Sequence, residues 1–129
     1  MEPLTPDEVE CVRHFMGRIG CADATIAAGP LALIESWRTL VVACEKGCVV
    51  ERFEFLQDLS VRTLLARLIG RLPRPLALKL EGSLHVLDFR WRAIPKSNDE
   101  FLLDARLAHR HPPERDSWLY GWPATVRLR

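Results

Sequence analysis

Apolar residues recur along most of this chain at the spacing of one helix face, and glycine and proline divide the pattern into segments. Val9, Val12, Phe15/Met16 and Ile19 form the first stripe. Before it, Leu4-Thr5-Pro6-Asp7-Glu8 carries the signals of a helix start. Thr5 is placed as N-cap, and Pro6 stands at the first helical position, where no N–H is needed. Glu8 is spaced to close a capping box, and Leu4 and Val9 to form a hydrophobic staple. Gly20 is the expected stop. Residues 21–29 are alanine-rich and read as one or two helical turns or a loop. Leu33/Ile34, Trp37, Leu40/Val41 and Cys44 then form a broad stripe that predicts a central helix over residues 31–46, ended by Gly47.

Residues 49–59 are ambiguous. Val50, Phe53 and Phe55 alternate as a strand would, whereas Val49/Val50, Phe53 and Leu56 fit a helix face. The acidic series Glu51, Glu54, Asp58, with Arg62 four residues beyond Asp58, favours helix. Asp58 or Ser60 is then expected to cap a helix carrying Val61, Leu64/Leu65, Leu68/Ile69 and Leu72. Leu76, Leu80, Leu84, Leu87, Trp91 and Ile94 step by 4, 4, 3, 4 and 3, a further helical stripe. The same stretch also reads as a hairpin over residues 76–94, turning at Glu81-Gly82-Ser83. The longer stripe makes helix the expectation. After Pro95 come a polar loop, a weak helix or strand over residues 101–107, a charged Pro-Pro turn, and an aromatic segment, Trp118 to Trp122, expected to lie extended over the core.

These elements predict an all-α fold, a compact bundle of four or five helices with an irregular aromatic C-terminal tail. The alternative is α+β with the hairpin. A chain of 129 residues is the size of one domain, expected to span residues 1–129, and can bury a core without disulfide or metal staples. Its 48% hydrophobic and 27% charged residues argue against disorder. No apolar run is long enough to cross a membrane, and the start Met1-Glu2-Pro3-Leu4 does not resemble a signal peptide. The expectation is a cytoplasmic protein with its four cysteines reduced. Net charge is +1 but uneven: 5 basic and 10 acidic residues over 1–58, 8 and 2 over 59–96, and 5 and 5 thereafter. Acidic elements packed beside basic ones, or a basic face for an acidic partner, would each use this asymmetry.

Trp37, Leu40-Val41, Cys44-Glu45, Gly47, Phe53-Glu54-Phe55, Gln57-Asp58-Leu59 and Arg62 together resemble a pattern in small bacterial helical proteins of unassigned activity. There a Trp is followed by an apolar pair, a Glu near a Gly, Tyr-Glu-Tyr, Asn-Asp-Leu and an Arg three residues later. This chain has Phe for both tyrosines, Gln57 for the Asn, and Cys48 where an aromatic is usual. Leu87-Asp88-Phe89-Arg90 is a second, weaker shared block. The resemblance covers a third to a half of the chain and implies a small helical fold. It brings no catalytic residues.

Candidate chemistry is sparse. Cys11, His14, Cys21, Cys44 and Cys48 lack the paired spacing of zinc knuckles, and His109 with His111 lacks neighbouring ligands, so neither metal nor cofactor is expected. No serine lies in a nucleophile elbow, and no glycine-rich phosphate loop is present. Glu54 and Asp58 are one turn apart, and an acid/base pair can be built so, but with Arg62 they also read as an ordinary structural charge cluster. Arg67, Arg71, Arg74 and Arg90 could neutralise phosphates of a nucleic acid. Arg115, Trp118, Tyr120 and Trp122 would suit a protein interface if exposed, and mean packing if they cap the core. The favoured function is a non-catalytic protein that binds a partner protein, such as a bacterial immunity, inhibitor or accessory protein. The alternatives are a nucleic-acid-binding regulator using residues 62–96 and an enzyme with an acidic site at Glu54/Asp58.

Overall fold

Residues 3–129 are described in the structure, a computed structural model of a mostly helical protein. Five α-helices follow in order: α1 (Pro6–Arg18), α2 (Asp23–Ala28), α3 (Pro30–Lys46), α4 (Arg52–Ile69) and α5 (Arg74–Ala93). The start of α1 is the expected capping box, with Thr5 and Glu8 each bonding the other's backbone N–H. At its end Gly20 has φ +87°, Cys21 N–H donates to the Met16 carbonyl and Gly20 N–H to that of Gly17, a Schellman closure. The alanine-rich stretch is helical as α2.

One expectation needs correction, and one alternative falls. The sequence suggests a new helix capped at Asp58 or Ser60, but α4 runs unbroken through both. Its cap is Glu51, whose carboxylate accepts from the N–H groups of Phe53 and Glu54. Ser60 lies inside the helix, its hydroxyl bonded back to the Gln57 carbonyl rather than capping a new one. Residues 76–94 form no hairpin, since α5 spans them almost entirely.

A small parallel pair joins β1 (Cys48–Val50) to β2 (Val126–Leu128), with Cys48 opposite Val126. It docks the tail against the end of α3. There the Thr125 hydroxyl caps the Cys44 carbonyl, and Gly47, at φ +85°, brings its Cα close to the Thr125 carbonyl. The rest of the tail is held by bridges Lys96–Pro123 and Phe101–Tyr120 and by two 3₁₀ turns, Ala105–Arg110 and Ser117–Leu119. Lys96 caps α5, donating to the carbonyls of Trp91 and Ile94.

One hydrophobic core unites α1, α3, α4 and α5 with the tail, and Ile26 of α2 packs against it. At its centre Trp37 of α3, Phe55 of α4 and Trp91 of α5 meet; the Trp37 and Trp91 ring centroids are 5.1 Å apart. Trp122 closes over Phe55 at 4.6 Å. The charge asymmetry is partly spent internally: Lys79 of α5 pairs with Glu8 of α1 at 2.8 Å, and Arg90 of α5 pairs with Glu45 of α3. No helix among the described residues is long and apolar enough to cross a membrane.

Candidate functional site

The structural charge cluster expected at Glu54, Asp58 and Arg62 does not form. Arg62 turns inward from α4 and makes a two-pronged bond to Asp88 of α5, at 2.9 and 2.8 Å. Asp88 also accepts from the Trp37 indole N–H at 3.0 Å, and the Arg62 guanidinium lies 4.1 Å from the Trp118 ring centroid. Long-range packing overrides the i,i+4 spacing because Asp88 is within the core boundary, where a bidentate pair is far stronger than an exposed ladder. Trp37 and Arg62 thus meet at Asp88. The node joins α3, α4, α5 and the tail, and its chemistry is structural.

Glu54 stays on the surface, 3.5 Å from Arg129. Asp58 lines a shallow depression with Ser36, Thr39, Leu40, Ala43, Cys48 and Val50. Partial burial, and secondarily the Glu54 charge, raises its carboxyl above the ordinary value. No nucleophile or orienting group hydrogen-bonds to it among the described residues. Burial, reinforced by neighbouring Cys48, pushes the Cys44 thiol up to about 12. Among the described residues no three His, Cys, Asp or Glu side chains converge as a metal site.

The aromatic tail packs inward. Trp118 is 5% exposed and Trp122 8%, so neither offers a protein-binding surface. The Trp118 indole donates to the Thr63 hydroxyl and the Tyr120 hydroxyl to the His111 carbonyl. Arg115 is exposed but bonds Asp116, as does His111. Burial pushes the Asp116 carboxyl up, yet the Arg115 and His111 bonds outweigh it and leave it below its ordinary value. The four basic residues also separate. Arg90 is committed to Glu45. Arg67 donates to the Ile19 carbonyl at 3.3 Å and lines a cleft with Arg71, while Arg74 stands exposed at the start of α5.

A surface that the sequence reading passed over lies on α5. The buried row Leu76, Leu80, Leu84 and Leu87 faces the core, and two positions beyond each member stands Leu78, Gly82, Val86 and Phe89. Two residues correspond to roughly 200° around a helix, so this second row points away from the core. Leu78 is 50% exposed, Val86 61% and Phe89 65%. Gly82 lies between them with open space where a side chain would be. Glu81, His85, Arg74 and Arg92 border the row, all exposed. Apolar residues on both faces also produced the false hairpin signal, because Leu76, Leu78 and Leu80 alternate whether or not the segment is a strand. A helix apolar on both faces is itself the signal of a second packing surface.

No family model matches this chain, and no curated protein or solved structure matches it.

Proposed function

We propose that this is a non-catalytic protein that acts by binding another protein through the outer face of α5. The observation that carries the reading is the row Leu78, Val86 and Phe89, exposed directly opposite the buried face of the same helix. Water contact with a row of large side chains is unfavourable by about 25 cal/mol per Å2 of apolar surface, and a partner that covers the row recovers it. Phe89 is the natural anchor, and Gly82 leaves a bare strip of helix into which a partner side chain can fit. The partner's chemistry follows from the rim: an apolar groove or helix face edged with carboxylates to meet Arg74 and Arg92, which have no ion-pair partner among the described residues.

Within that class, an immunity, inhibitor or accessory protein of a bacterial cytoplasm is the particular role we favour. It is supported by the small helical fold and by the resemblance to small bacterial proteins carried by Trp37, Glu45, Gly47, Asp58 and Arg62. The test is a pull-down from native lysate with the wild-type chain and with Val86→Ser/Phe89→Ser, after nuclease treatment and at high salt. The expected result is one stoichiometric protein retained by wild type and lost by the variant, with the variant's thermal unfolding unchanged. Equal recovery by both chains, or no partner, contradicts it.

A further inference from the structure

We propose that the cleft between the C-terminal ends of α1 and α4 binds a phosphate group through Arg18, Arg67 and Arg71. This site is independent of the α5 face and uses different residues. Six arginines elsewhere, Arg13, Arg38, Arg62, Arg90, Arg106 and Arg115, each hydrogen-bond a carboxylate. The cleft, about 360 Å3 in volume, gathers three that do not. Three guanidinium groups line it over a floor of Phe15 and Ile19, and no carboxylate is among its walls. Arg67 donates to the Ile19 carbonyl, which fixes one guanidinium at the cleft. Arg18 makes only a distant ring contact, 6.0 Å from the Phe15 centroid, and Arg71 has no partner among the described residues.

Their convergence is built by two elements. Arg67 and Arg71 are four apart, across the last turn of α4 and the turn beyond Gly70, while Arg18 ends α1. Cations at the last turn of a helix are favourable, which accounts for each arginine singly. It does not account for three of them around one concavity without a counter-charge. Phosphate fits this arrangement because its tetrahedral oxygens accept several guanidinium forks at once. The cleft has room for a phosphate with a small organic group attached, or for one stretch of a nucleic-acid backbone.

The experiment is a titration of the full chain followed by amide and arginine side-chain NMR, with inorganic phosphate replacing chloride at constant ionic strength. The expected result is saturable shifts confined to residues 15–19 and 67–71. Arg18→Ala and Arg71→Ala break no backbone hydrogen bond, and each should weaken binding by about tenfold, the loss of one charged hydrogen-bonding group. Arg71→Lys should recover only part of it, and Arg92→Ala should change nothing. A second titration uses a single-stranded oligonucleotide of about 12 nucleotides. Tighter binding than phosphate at the same amides, weakening with a log–log salt slope of about −2, assigns the phosphate to a nucleic-acid backbone. Phosphate binding without oligonucleotide binding assigns it to a small phosphorylated molecule. Shifts that fail to saturate with both probes, spread over the whole basic surface, or survive Arg18→Ala and Arg71→Ala overturn the proposal.

Discussion

Asp88 accepts three hydrogen bonds, one from Trp37 and two from Arg62, and so fixes the relative placement of α3, α4 and α5. Replacing it with Asn keeps the shape but leaves the enclosed Arg62 charge without its counter-ion. Arg62 Nη1 already has no partner, so no alternative acceptor stands ready. Asp88→Asn should therefore cost roughly 3 kcal/mol, read as a lower urea midpoint at unchanged slope. A loss under about 0.5 kcal/mol would mean the pair is as weak as a surface one. Asp116 predicts a pH effect. Its carboxyl is held below its ordinary value, so its stabilisation is present above the unfolded carboxylate range and disappears as pH falls through the lowered folded value. Thermal unfolding between about pH 5 and pH 2 should show a shallower acid limb in Asp116→Asn than in wild type. The Arg62–Asp88 partnership was not legible in the sequence. Asp58 lies four residues before Arg62 and offers the local pairing, whereas Asp88 lies 26 residues away and becomes a neighbour only when α4 and α5 pack.

Among the elements, the boundaries that rest on local chemistry are those the sequence shows. The Thr5/Glu8 box, Gly20 and Gly47 act over a few residues and appear where their spacing puts them. The start of α4 was hidden because its cap is a glutamate at the end of a β-capable run, not Ser60, and the run's first three residues pair with the distant β2. The strand pair as a whole was illegible for the same reason: its partners come from opposite ends of the chain. In α5, Gly82 weakens a helix for no packing reason inside the molecule, since nothing lies within 4 Å of an added Cβ. Gly82→Ala should raise stability by about 0.5–1 kcal/mol, seen as a higher melting temperature. It should also weaken partner binding if Gly82 is the gap a partner fills. Gly121→Ala should do the opposite to stability: at φ +86° its Cβ would meet the Asn98 carbonyl oxygen at 2.7 Å.

At the scale of the whole molecule, the acidic and basic halves of the chain meet across helices through Glu8–Lys79 and Glu45–Arg90. Two surfaces are not absorbed by that pairing, the arginine cleft and the apolar outer face of α5. Sequence patterning marks the row that runs from Leu76 through Trp91 as a helical stripe but leaves helix or hairpin open over residues 76–94. The choice is made by the core, where the row ending in Trp91 meets Trp37 and Phe55. The row ending in Phe89 stays exposed, and we propose that a partner protein covers it. Its occupant is best caught in place, with a photo-crosslinking amino acid at position 89 or 78 of the chain expressed in its native cells, and at Leu31, an exposed apolar residue on α3, as control. One adduct of defined mass from positions 89 and 78, absent from position 31, is the predicted result. No adduct from α5, or the same products from all three positions, would contradict the claim that this face is a specific protein-binding surface.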